Sequence, residues 1–251
     1  MDVNAYLKRL NIEKRLAPDL PFLSHLQKQH MLRIPFENLD IIQGKTIQLD
    51  FKAFFNKLIV NKRGGFCYEL NGLFYRLLQE LVFETFMLSG QVARSEDEYG
   101  PEFDHMLLLV RFDKEYIVDV GFGDSVRSPL EISGKEVVDV SGTYRIKQDP
   151  FKHNGYFFQK LIEGKWISEF KFTTIPRQLR DFENMCHYQQ TSPDSYFTHK
   201  PMITLATHDG RITLSGENLT ITERGTKRKL KIASPQDLEK TLNDFFGISK
   251  C

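Results

Sequence analysis

The chain of 251 residues carries 34 Lys and Arg against 33 Asp and Glu, a formal net charge of +1, with 41% hydrophobic and 27% charged residues. That balance excludes a disordered or collagen-like chain, offers no basic excess for nucleic acid, and suits one large domain or two to three small packed ones. Twenty-one phenylalanines predict an aromatic-rich core.

The N-terminal MDVNAYLKRLNIEKRL lacks the about 7–15-residue apolar run and small-residue cleavage site of a signal peptide. No stretch reaches the roughly 18 apolar residues of a membrane span. Asp19 and Pro21 predict a helix start, followed by Leu23, Leu26, His30 and Met31 at helical spacing. Asp50 predicts a cap for a second helix with Phe51, Phe54, Phe55 and Leu58 on one face. A third begins just after Arg63-Gly64-Gly65, where Leu70, Leu73, Phe74, Leu77, Leu78 and Leu81 form a stripe.

At about Phe83 the pattern changes. MLSGQVAR, HMLLLVRF, EYIVDV, TYRIKQ, GYFFQKLI and KWISEFKF read as short strands, with a hairpin at Phe112-Asp113-Lys114-Glu115. Residues 176–190 read as one helix, Asp209-Gly210 as a hairpin turn, and Ser234-Pro235-Gln236-Asp237 as a capped helix start. Helices, then strands, then a mixed end predict an α+β fold. The divisions are a helical domain over 1–82, an antiparallel β-barrel over 83–175 and an α/β domain over 176–251.

Three cysteines, Cys67, Cys186 and Cys251, are too few for a disulfide framework and leave an odd thiol, which predicts a reducing compartment and a cytoplasmic protein. Cys67 follows a Gly-Gly turn at a predicted helix N-terminus, where free N–H groups and the helix dipole favour a thiolate and could hold an oxyanion. The alternative is an inert, buried helix cysteine. Of seven histidines, His105 opens an apolar strand and is the candidate base. His25 and His30 read as packed or surface helix residues, and His187 stays in reserve. Asp119 interrupts an apolar strand, where a carboxylate is costly unless paired, so it is the candidate orienter of His105. A strand-end Asp bonded to loop amides is the alternative. Gly121-Phe122-Gly123 after it allows close backbone approach to a substrate. No C-x-x-C, H-E-x-x-H or phosphate-binding glycine loop is present, so no metal and no nucleotide motif is expected.

Arg63-Gly64-Gly65-Phe66-Cys67-Tyr68-Glu69-Leu70-Asn71 resembles the R-G-G-x-C-x-E-x-N motif of the arylamine N-acetyltransferases. Ile34-Pro35-Phe36-Glu37-Asn38-Leu39 matches that family's I-P-F-E-N-L segment. His105-Met106, Val118-Asp119-Val120-Gly121-Phe122-Gly123 and a segment from Asn184 to Phe197 follow in the family's order. The resemblance covers most of the chain. It implies a cysteine-protease-like core, a third domain acting as a lid, and acetyl-CoA as co-substrate without metal. It also implies two steps: acetyl-CoA acetylates the Cys, then an arylamine, arylhydrazine or N-hydroxyarylamine takes the acetyl group. By motif, Cys67 is nucleophile, His105 base and Asp119 orienter. Phe36 and Phe103 would line the pocket, with Gly121, Phe122 and Gly123 bordering it. Arg63 and Glu69 would hold the first domain together through buried ion pairing.

The sequence departs from the family in placing Asp104, not Thr, before His105, where a second carboxylate would raise the imidazole pKa. The stretch after Phe197 is short, which predicts a reduced lid. Arg211 and Lys227-Arg228-Lys229 are phosphate candidates, although a solvated charged turn is the favoured reading. A cysteine hydrolase or transglutaminase-type enzyme would use the same triad, and a binding protein without turnover would share the fold.

Overall fold

The computed structural model describes residues 1–249; Cys251 lies outside the described residues. Three of the early helices begin where an aspartate caps them. Asp2 accepts the Ala5 N–H at the start of α1 (Val3–Arg9), a helix the sequence reading did not single out. Asp19 accepts from Phe22 at 2.8 Å to open α2 (Leu20–Arg33), with Pro21 in the first turn. After β1 (Phe36–Glu37) and α3 (Leu39–Ile42), Asp50 opens α4 (Phe51–Phe55), which runs into a π-helical turn over Asn56–Val60. Helix α5 (Cys67–Glu80) is the centre of this third of the chain, with Leu70, Leu73, Phe74, Leu77 and Leu78 fully buried.

Eight strands follow: β2 (Glu84–Val92), β3 (His105–Arg111), β4 (Glu115–Val118), β5 (Leu130–Glu131), β6 (Val137–Asp139), β7 (Gly142–Gln148), β8 (Gly155–Ile162) and β9 (Lys165–Thr173). They form one antiparallel sheet in the order β5-β4-β3-β2-β9-β8-β7-β6, and β5 approaches β7 so that the barrel nearly closes. The fold is therefore α+β, as the segregation of patterns predicts.

Strand β3 is apolar on both faces, and the structure gives the reason. Met106, Leu108 and Val110 join the helical core, while Leu107 and Leu109 point into the barrel interior with Phe158 and Phe170. A strand buried on both sides reads as a continuous hydrophobic run.

The remainder runs through a 3-10 turn (Leu179–Phe182), α6 (Glu183–Thr191) and a second 3-10 turn (Tyr196–Thr198). It continues through β10 (Met202–Thr207), β11 (Gly210–Ser215), β12 (Asn218–Glu223), β13 (Thr226–Lys231) and α7 (Pro235–Phe246). The single helix expected over 176–190 is broken at its start. The Asp181 carboxylate accepts the Gln178 N–H at 2.7 Å and closes a 3-10 turn before α6 begins. Lys227, Arg228 and Lys229 are not in a turn. They lie in β13, an exposed edge strand paired with β12, where cationic side chains discourage edge-to-edge association. The second sheet has the order β1-β10-β11-β12-β13, so two residues from the helical third edge it. Asn38, just after β1, clamps this junction: its amide donates to the carbonyls of Phe197 and Lys200 and accepts the Met202 N–H at 2.7 Å. Among the described residues no helix is long and apolar enough to cross a membrane.

Candidate active site

Cys67 is the first residue of α5. The Glu69 carboxylate turns back to accept the Phe66 N–H at 3.1 Å, one half of a capping box, and Lys57 holds that carboxylate at 2.9 Å. Arg63 binds Glu37 at 2.7 Å and Asp40 at 3.1 Å, and Lys57 reaches Asp40 at 2.8 Å. Arg63 and Glu69 thus both sit in one largely buried ionic network, to which Glu37 of the Ile34–Leu39 segment also belongs. The turn before Cys67 is tight. A Cβ on Gly64 would lie 2.2 Å from the Pro35 carbonyl oxygen.

His105 and Asp119 meet at 2.6 Å, Nε2 to Oδ2, both buried. The β3–β4 register pairs Leu108 with Val118. Continued past the end of β4, that register sets Asp119 across from Leu107 and diagonal to His105, within reach on one face. The other carboxylate oxygen accepts from Asn71 Nδ2 at 2.9 Å, Gly121 N–H at 2.8 Å and Phe122 N–H at 3.1 Å. The loop-amide role and the histidine role, set out above as alternatives for Asp119, are filled by its two oxygens together. With Oδ2 facing Nε2, the neutral tautomer carries its proton on Nε2 and leaves Nδ1 as the basic nitrogen. The rings of Phe122 and Phe170 pack on the imidazole.

Cys67 and His105 border one cavity of about 930 Å³, lined also by Phe36, Asp104, Gly121, Phe122, Gly123 and Arg211. A Cβ on Gly121 would lie 2.9 Å from Cys67 Cα and 2.7 Å from Asn71 Nδ2, so only glycine fits there. Phe103 is not part of the lining. Its backbone is left-handed (φ 67°), its N–H is held by Ser89, and its ring packs on Phe182. Burial pushes the Cys67 thiol well up, and the Asp119 and Asp104 carboxylates add to that against a hydrogen bond from the Met106 backbone. The lowering expected at a helix N-terminus is outweighed by desolvation. Burial likewise pushes the Cys186 thiol up to about 12. His187 lies exposed on α6 outside the lining, and His25 is exposed on α2.

Asp104 accepts from Gln189 Nε2 at 2.7 Å, and Gln189 Oε1 accepts from Ser195 at 2.6 Å. Burial raises the Asp104 pKa, against the pull of Arg94 and His105. The residue that sequence reasoning passed over is Asn71. It donates to the Met106 carbonyl at 2.6 Å and to Asp119, and accepts the Val120 N–H at 3.0 Å. It stands four residues after Cys67, one turn along the same helix face, and that spacing was a readable signal. Gln27 is a second such residue, donating to the carbonyls of Asp119 and Val126 from a buried position on α2. Among the described residues no cluster of His, Cys, Asp or Glu is arranged to hold a metal ion.

A thiol and an imidazole on one cavity, with a carboxylate fixing the imidazole, suit attack on a carbonyl and so an acyl-transfer class of enzyme. Residues 19–250 match a family model described as N-acetyltransferase. Arylamine N-acetyltransferase 1 of Homo sapiens is 35% identical, over 99% of this chain and 94% of that protein. The solved arylamine N-acetyltransferase of Mycobacterium smegmatis superposes with a TM-score of 0.92 at 33% identity, over 99% of this chain and 92% of that one. The Mycobacterium marinum arylamine N-acetyltransferase, solved in complex with CoA, gives 0.90 at 32% identity, over 99% and 93%. The chain belongs to the arylamine N-acetyltransferase family.

Proposed function

We propose that the protein transfers an acetyl group from acetyl-CoA to an arylamine, arylhydrazine or N-hydroxyarylamine by way of a Cys67 thioester. The observation that carries this reading is the 2.6 Å His105–Asp119 contact beside the cavity that Cys67 borders. In the first step the thiol sulfur attacks the acetyl carbonyl as its proton passes to His105 Nδ1. The tetrahedral intermediate collapses, the bond to CoA sulfur breaks, and His105 returns the proton to the departing CoA thiolate. In the second step the amine nitrogen attacks the thioester carbonyl. His105 takes one amine proton and gives it to the Cys67 sulfur as the amide leaves. Burial raises the thiol pKa, so His105 has to take the thiol proton for the sulfur to attack. Asp119 steadies the imidazolium formed in both steps, and Asn71 and Gln27 hold Asp119 and its backbone.

Phe36, Gly121, Phe122 and Gly123 are proposed to line the substrate end. The three-part division at 82 and 175 fits the same reading, with the sheet and helix after residue 176 covering the cavity as a lid. A thiol nucleophile, together with a free Cys186, suits a reducing compartment, and the cytoplasm is the proposed location. CoA release on mixing with acetyl-CoA and an arylamine tests the proposal. The wild type should release CoA and form amide in equal amounts, and Cys67→Ala should do neither. Amide formation by Cys67→Ala well above background would contradict it.

A further inference from the structure

Arg211, on β11, is a lining residue of the cavity with only part of its donor capacity used. Its Nε donates to Asp124 at 3.2 Å and its Nη1 to the Thr204 hydroxyl at 3.0 Å. Its Nη2 is buried and has no hydrogen-bond partner. The side chain is 11% exposed, whereas its partner Asp124 is 55% exposed. A desolvated guanidinium edge left unpaired is costly, since each unmet donor forfeits its hydration. A second cation stands beside it: Lys160, which also lines the cavity, binds the other oxygen of Asp124 at 2.9 Å. One carboxylate is thus shared between two cations, with Asp139 also acting on Arg211 and Glu169 lying near Lys160. Lys227 and Asp209 line the cavity as well, one of each sign. The geometry also ties this patch to the chemistry. Thr204 packs on Gly123, two residues beyond the Gly121 that abuts Cys67.

We propose that Arg211, assisted by Lys160, receives an oxyanion of a bound substrate, and that Asp124 weakens this site by competing for both cations. The shared chemistry is a planar or tetrahedral oxyanion, for which a guanidinium edge is well matched. It has two sources: a phosphate of the acyl donor, or a carboxylate on the aromatic acceptor. The proposal rests on the acyl-transfer reading for its substrates.

The test compares matched pairs in each half-reaction, using the full chain. The donor arm measures thiol release from acetyl-CoA against acetyl-pantetheine, which lacks the phosphates. The acceptor arm measures acetylation of 4-aminobenzoate against its methyl ester. In the arm that supplies the oxyanion, Arg211→Gln should lower the anionic-to-neutral rate ratio at least tenfold. Asp124→Asn should raise that same ratio, an opposite effect that loss of folding would not mimic. A merely structural role would slow both members of a pair alike. Ratios within twofold of wild type in both arms for both variants would overturn the proposal. Should the wild type release no thiol from either donor, the acetyl-transfer reading fails by itself. Thermal stabilisation by CoA against pantetheine, and by 4-aminobenzoate against its ester, then tests Arg211 without turnover. Arg211→Gln should abolish the difference within one pair, and an unchanged difference in both pairs would overturn the site.

Discussion

Asp119 accepts a hydrogen bond on one oxygen from His105 and three on the other from Asn71, Gly121 and Phe122. Asn at this position would present an amide N–H to one of two sets of donors. If it faces His105, Nε2 must become an acceptor and the ring proton moves to Nδ1, the nitrogen needed as base. Asp119→Asn should therefore lower kcat by about 10²–10⁴-fold with the fold retained, as such tautomer errors do in triads. A near-normal kcat would remove Asp119 from its orienting role. His30 offers a separate prediction. It is fully buried against Phe74 and Tyr6 with neither ring nitrogen hydrogen-bonded, and burial lowers its pKa to about 3. Unfolded, it would titrate near its usual 6.5. Between those values the unfolded chain binds the extra proton, so stability is full above about pH 6.5 and is lost as pH falls toward 3. In urea melts from pH 7.5 to 4.5, His30→Gln should show a shallower acid loss than wild type, and an equal slope would contradict this. At the residue scale, Cys67, His105 and Asp119 were legible because their chemistry is conspicuous in apolar or glycine-flanked surroundings. Asn71 and Gln27 were not singled out, since a neutral amide on a helix announces itself only through its partners. The direction of the Cys67 shift was also unreadable, because desolvation depends on how deeply the helix start is packed.

Helix α5 owes the placement of its first residue to ions several turns away in sequence. Lys57 joins Glu69, which caps the helix, to Asp40, which also binds Arg63. Lys57→Met would leave Glu69 and Asp40 desolvated with one cation fewer. It should cost about 3–5 kcal/mol of stability, the range for breaking a buried ion pair from one side. Urea unfolding checks this, and a loss below about 1 kcal/mol would mean the network relaxes or the carboxylates are hydrated. Element by element, the sequence was most legible where capping and periodicity agree, as at Asp19 before α2 and Ser234 before α7. It was least legible where pairing decides the structure. Thr226–Lys231 has no hydrophobic alternation and reads as solvated, yet it is a strand because β12 offers it a full ladder of backbone partners. The π-helical turn after α4 likewise buries Ile59 beside Leu58, although only Leu58 falls on the face that helical spacing set out.

Across the whole molecule, the cavity exists because three runs of chain that are distant in sequence are held together around α5 and β3. The helical core takes in Met106 and Val118 from the barrel strands, and Phe182, Cys186 and Ala206 from the last third. The order of these parts was legible from the change of period near Phe83. Their mutual packing was not, because contacts such as Asn38 to Lys200 leave no local trace. Asn38→Ala should loosen the junction. Amides around 196–204 should exchange faster with solvent while those of β3 and α5 keep their protection, and uniform protection would show that the clamp is redundant. The proposed chemistry turns on whether Cys67 carries the acetyl group. Intact-protein mass after mixing with acetyl-CoA, without acceptor and beside a Cys67→Ala control, measures that directly. The wild type alone should gain one acetyl group, with release of one CoA, and lose it again when an arylamine is added. No gain together with no CoA release, or an equal gain in Cys67→Ala, would contradict it.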